Sequence, residues 1–312
     1  MKAIFMLTLM ASFAFTGCNK VSEQVKFVKM WGNEGGGNGQ FKYIEDFAFN
    51  NNGELLVTDA LRSDVQIFTK DGKFLHKFGG KGRVPSSFEK PEGIAINPKT
   101  GNIFVADYLS GYIKKFDKNN NYLKTFSDLG EREGQTIESE FMDVHQNGNL
   151  YVAEAGNNRV SIFSLDGVFK FSFGMYGSGE GQLNRPEASK VDSKGRIWVA
   201  DLANNRVQVF SEKGKFLKVI GKEGEALGEF RRPAGIAIDK YDNVYVTEIG
   251  NNRIHVLNSE GKAFYTFGKK GTAQMEFGNL HGIIVDEAGH LYVGDTGNNR
   301  IQKFKILNWR KL

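Results

Sequence analysis

Residues 199–210 read Val-Ala-Asp-Leu-Ala-Asn-Asn-Arg-Val-Gln-Val-Phe. The same pattern returns at 57–68, 105–116, 152–163, 246–257 and 293–304. Its acids are Asp59, Asp107, Glu154, Asp201, Glu248 and Asp295, spaced 48, 47, 47, 47 and 47 residues apart. The longer interval comes from one extra residue in Asn97-Pro98-Lys99-Thr100-Gly101. Six units of nearly one length are the mark of a repeat architecture.

Each unit predicts four strands. In the second unit, 93–97 is a short apolar strand and 103–106 follows it; in the fourth, 207–210 is the third strand and 215–220 the fourth. The alternation of 215–220 suits a partly exposed outer strand. Four short antiparallel strands per repeat describe a propeller blade, so the expected fold is all-β, a six-bladed β-propeller. The sixth repeat stops after its third strand, near Phe304. Its missing fourth strand is found at the other end of the chain, at 27–32. Gly32 lies 47 residues before Gly79 and is in phase with Gly174, Gly221 and Gly268. The last blade is therefore expected to be closed by the N-terminal strand, which removes two sheet edges.

Composition agrees with this reading. The chain has 312 residues, 40% hydrophobic and 25% charged, which excludes a disordered chain. Its 38 Gly and 26 Phe suit short strands joined by tight turns. Basic and acidic residues number 41 and 36 and are interspersed, so the net +5 forms no basic block and no nucleic-acid partner is expected. A single cysteine excludes an intrachain disulfide and any cysteine-built metal site.

That cysteine is Cys18. Lys2 precedes an apolar run at 3–15 that is short for a bilayer span, and the run ends in Phe15-Thr16-Gly17-Cys18. This resembles a bacterial lipobox, with Phe15 in place of the usual Leu or Val. The resemblance implies a signal peptide at 1–17, lipidation of Cys18, a tether at 18–24 and the propeller at 25–312. Export follows, to the outer membrane, periplasm or cell surface. Asn19 after the cysteine is compatible with outer-membrane sorting.

The repeats themselves resemble the NHL-repeat family. The matching residues are Pro-x-Gly-Ile-Ala-Ile-Asp at 233–239, Val-x-Val-Thr-Glu at 244–248, Asn-Asn-Arg-Ile at 251–254 and the closing Phe-Gly at 267–268. Blades one and two depart, with Asp64 and Tyr112 where Arg159, Arg206, Arg253 and Arg300 stand later. The resemblance implies a six-bladed propeller and no particular activity.

A feature present in every blade is expected to maintain the blade, so the repeated acids and Asn-Asn-Arg turns read as structural. Function is sought where equivalent positions differ. Aligning the repeats places Glu45, Glu92, Glu140, Glu187, Ala234 and His281 at the entry to the innermost strands, around one channel mouth. Asp46, Gly93, Phe141, Ala188, Gly235 and Gly282 follow them and are mostly small, as a narrow channel requires. Glu45, Glu92, Glu140, Glu187 and His281 are the expected ligand-binding residues. Glu92, Glu187 and His281 could hold a divalent metal such as calcium or zinc. In the competing reading, Arg185, Lys190, Arg231 and Arg232 simply neutralise the glutamates.

Gly-rich connections such as 177–182 and 224–229 lie on one face and favour recognition of a protein, peptide or glycan by a monomeric propeller. The alternative is a metal-dependent lyase or hydrolase at the channel mouth. The zinc-dependent peptidyl-hydroxyglycine lyase domain resembles this fold but uses several channel histidines, where this chain supplies His281 alone. Calcium-binding lactonase propellers tolerate a Glu-rich channel and lack the NHL pattern.

Overall fold

A computed structural model describes residues 24–307; residues 1–23 and 308–312, with Cys18 among them, lie outside the described residues. Blade one shows how the repeat is used. Its strands are β2 (Ile44–Phe49), β3 (Leu55–Asp59), β4 (Asp64–Phe68) and β5 (Phe74–Gly79), paired antiparallel in that order. The inner three are buried almost throughout, while β5 alternates and is half exposed. Four further four-stranded blades repeat this order around the ring.

The sixth blade is built from both ends of the chain. Its inner strands are Leu280–Val285, His290–Asp295 and Arg300–Ile306, and its outer strand is β1 (Val25–Trp31). Val25 faces Ile306 and Trp31 faces Ile301, with one register shift between Phe27 and Lys29. The strand thus begins two residues earlier than the apolar pattern suggests, because Val25 is buried against Ile306.

Neighbouring blades are joined by aromatic rings from an outer strand against the third strand of the next blade. Phe78–Phe116, Phe126–Phe163, Phe173–Phe210 and Phe267–Phe304 lie 5.0, 5.7, 4.7 and 5.4 Å apart. Between blades six and one the contact is made by Trp31, whose ring neighbour is Tyr292 of its own blade. Trp31 packs on Gly72, as Phe126 and Phe173 pack on Gly167 and Gly214, where a Cβ would lie 2.4–2.7 Å from the ring. Glycine suits such a turn, whose φ is near +78°, and in blade two Asn120 takes the equivalent place at +68°.

The innermost strands approach one another closely. A Cβ on Gly93 or Gly282 would come within 2.1 Å of the carbonyl oxygen of Glu140 or Glu45 in the adjacent blade. The small residues after the ring glutamates are therefore required by contact between blades, and not by the width of the channel alone.

Candidate functional site at the channel mouth

The repeated acid and turn of each blade build one face of the ring. In blade four, Asp201 accepts the Asn184 amide, the Asn204 carboxamide, Arg206 Nε at 2.7 Å and Gln208 Nε2 at 3.0 Å. The Arg206 guanidinium then donates to the carbonyls of Ser178, Gly179 and Gln182 in the loop that leads to the inner strand. Arg159, Arg253 and Arg300 do the same in their blades. In blade one Arg62 replaces the missing arginine, reaching Gly37 and Gln40 while pairing with Asp64 at 2.9 Å. The structural reading of these residues is met in atomic detail.

The second Asn of the turn connects this scaffold to the mouth. Asn158, Asn205 and Asn252 accept the amides of Arg185, Arg232 and Asn279 at 2.9, 2.8 and 3.0 Å. These three residues stand two positions before a ring residue, and all have left-handed backbone with φ of 48–57°. The turn hydrogen bond offsets the cost of that conformation for a non-glycine residue. The mouth therefore has a rim of Tyr43, Lys90, Glu138, Arg185, Arg232 and Asn279, each two residues ahead of its ring position.

Within the rim the ring residues are buried and close together. His281 Nδ1 lies 2.9 Å from Glu45 Oε2, and its Nε2 faces the Tyr43 hydroxyl and the Asn279 carboxamide at 3.4 Å each. Lys90 Nζ pairs with Glu92 at 2.5 Å and sits 3.9 Å from the centre of the Tyr108 ring. Glu140 hydrogen-bonds Glu92, and Arg185 bonds Tyr108 and pairs with Glu138 at 2.7 Å. Glu187 is only 7% exposed and interacts electrostatically with His281, Glu45 and Glu92, with no side-chain hydrogen bond to the described residues.

Burial governs the protonation of this cluster. Loss of water pushes Glu45 and Glu140 well above the usual carboxylate range, and the charges of Glu92 and Glu187 respectively push them further. Burial lifts Glu187 to about 7 and Asp46 to about 6. The same desolvation holds the His281 imidazole below its ordinary value, against the opposing pull of Glu187. Glu45, Glu140 and Glu187 thus hold their protons more tightly than ordinary carboxyl groups, beside an imidazole that binds its proton less readily than usual.

The five expected ligand-binding residues, Glu45, Glu92, Glu140, Glu187 and His281, are brought into this one electrostatically linked cluster. The expected cations form their close pairs elsewhere, although Arg185 still acts on Glu187 at longer range. Arg185 takes Glu138, Arg231 takes Glu225 at 2.7 Å, and Lys190 lies 3.9 Å from Asp143, whose strand carries it past the ring. Lys90 is the cation that engages a ring glutamate. Among the described residues, no group of three or more His, Cys, Asp or Glu side chains is disposed to hold a metal ion. Glu92 is engaged by Lys90 and His281 by Glu45, so Glu92, Glu187 and His281 do not fit as a metal-ligand set.

Known structures share this architecture at low sequence identity. A protein of unknown function from Bacteroides thetaiotaomicron superposes with a TM-score of 0.69 at 15% identity, covering 91% of this chain and 76% of the other. Virginiamycin B lyase from Staphylococcus aureus gives 0.62 at 15%, covering 91% and 99%. A gluconolactonase from Xanthomonas campestris gives 0.64 at 13%, covering 86% and 88%. These likenesses show the fold alone, and the curated proteins contain no match. The NHL-repeat model matches residues 277–304. The model of the DUF5128 family, described as a 6-bladed beta-propeller, matches residues 37–147 and 182–249, more than half of the sequence, and the chain belongs to that family.

Proposed function

We propose that this chain is an exported lipoprotein, anchored through Cys18, whose propeller binds a protein or peptide that presents a basic group to the channel mouth. One observation carries the reading: four buried glutamates converge with one lysine paired to them, and Glu187 has no hydrogen-bonding partner among the described residues. A mouth built only for stability would pair its charges or replace them with apolar residues. An ammonium group entering it would displace protons from Glu45, Glu140 and Glu187 and gain charge-assisted hydrogen bonds. The rim of Arg185 and Arg232 would meet acidic groups of the same partner.

A second reading, lyase or hydrolase chemistry, is favoured by the His281–Glu45 pair, in which a carboxyl group orients an imidazole whose Nε2 faces the mouth. Its metal-dependent form lacks support from the donor arrangement.

Two measurements test the proposal. The soluble domain, titrated with a trilysine peptide, is expected to bind it with proton release, read as an enthalpy that changes with the buffer. Glu187→Gln should weaken binding about tenfold, the equivalent of about 1.4 kcal/mol. No binding of trilysine, or equal binding of triglutamate, would refute the basic-ligand reading. Separately, Cys18→Ser should shift the full chain out of the membrane fraction, and unchanged partitioning would refute the anchor.

A further inference from the structure

Blade two breaks the rule that the other five obey. In blades one and three to six an arginine of the turn donates to the carbonyls of the loop before the inner strand. In blade two Tyr112 occupies the arginine position, opposite Asp107 as Arg206 is opposite Asp201. Its side chain is 40% exposed. Lys114 does not substitute for the guanidinium. Its Nζ donates to the Ser87 carbonyl and lies 3.6 Å from Asp107, matching Gln208 Nε2, which bonds the Gln182 carbonyl and Asp201.

The space that a guanidinium fills elsewhere is consequently an open cavity of about 320 Å³. It is lined by Arg83, Val84, Asp107, Ser110, Tyr112 and Lys114, among others. A second observation comes from the loop. In the other five blades an amide at its start bonds a carbonyl at its end, as Gly177 does to Leu183 at 3.1 Å and Gly35 to Phe41 at 3.0 Å. No such bond runs from Gly82 to Phe88 among the described residues, although the Phe88 amide still bonds the Gly80 carbonyl at 3.1 Å, so the loop beside the cavity is held by one bond fewer. Asp107 has also lost donors. It keeps the amides of Glu89 and Lys90, whereas Asp201 receives the side chains of an Asn, an Arg and a Gln as well.

Charge and shape define what fits. Asp107 and Lys114 neutralise each other, and Arg83 and Glu89 add one charge of each sign to the lining, so the cavity has no net charge that would select a cation or an anion. A neutral ligand with adjacent hydroxyls suits such a lining. One hydroxyl can donate to Asp107 or the loop carbonyls while another accepts from Lys114, and the exposed Tyr112 ring offers a face for the C–H groups of a pyranose. We propose that this cavity is a binding subsite for a neutral sugar residue, distinct from the acidic mouth and independent of what the mouth binds.

The test uses ligand-observed NMR and calorimetry on the soluble domain with glucose, galactose and N-acetylglucosamine, and with arginine amide as the cationic probe. At least one of the three sugars is expected to bind more tightly than arginine amide. Tyr112→Arg should fill the cavity as Arg206 does, weakening that sugar at least about tenfold while raising the melting temperature, which shows the variant is folded. Tyr112→Ala should weaken the sugar and leave the cavity open. Failure of all three sugars to bind the native domain, preference for arginine amide, or undiminished sugar binding by Tyr112→Arg would each overturn the proposal.

Discussion

A chain lacking residues 25–31 is expected to be recovered as aggregate or as unfolded protein. The deletion removes the outer strand of blade six and the Trp31 joint to blade one. Val25 is buried, and Phe27 and Trp31 pack against the aromatic rings of Phe304 and Tyr292. Full burial of a large apolar side chain contributes about 1.5–3 kcal/mol, and Phe27 and Trp31 are partly buried, so the loss is about 3–6 kcal/mol before the strand's hydrogen bonds are counted. Total stabilities of domains are about 5–15 kcal/mol. The exposed edge of Arg300–Ile306 would then template association. Deleting 19–24 instead spares β1 and should leave the thermal unfolding midpoint, followed by circular dichroism, nearly unchanged. Equal midpoints for the two truncations would show that the ring does not close through β1.

Arg206→Met should cost about 3–5 kcal/mol in urea unfolding, far more than an exposed ion pair would. Asp201 is fully buried, and the variant would leave its charge without the guanidinium 2.7 Å away. The Ser178 carbonyl would lose its donor at the same time, while those of Gly179 and Gln182 would keep only the Gln182 amide and Gln208. Far-UV circular dichroism should retain the β signal at low urea. A loss below about 1 kcal/mol would mean that water replaces the guanidinium without penalty, and that the repeated turn does not hold the loop.

The ring was legible in the sequence because a strict repeat converts spacing into angular position. Once Asp59 and its five equivalents are aligned, Glu45, Glu92, Glu140, Glu187 and His281 must share one mouth. The same alignment contained the rim two residues earlier. Lys90 carried no signal there, since its reach to Glu92 depends on the bend just before the strand Pro91–Ile96. Arg185 was misleading for a related reason: Glu138, in the adjacent blade, is nearer to it than any ring glutamate. The blade-two departure at Tyr112 was visible, but its consequence was not. Whether Lys114 replaces an arginine or a glutamine is a matter of geometry, decided by its contact with Ser87.

The central claim is that the mouth's carboxyl groups serve a ligand and not the fold. Glu187 tests it most directly, because burial raises its carboxyl from 4.5 to about 7. A raised acid binds its proton more tightly when folded, so its stabilising influence is complete below pH 4.5 and is lost as pH rises through about 7. Replacing it with the neutral isostere in Glu187→Gln should therefore raise the unfolding free energy of the ligand-free domain at pH 8. A gain of about 1–3 kcal/mol is expected, shrinking towards zero near pH 4. If the variant is instead less stable than the native domain at pH 8, Glu187 is held ionised by partners that need it, and the mouth is part of the fold's own support.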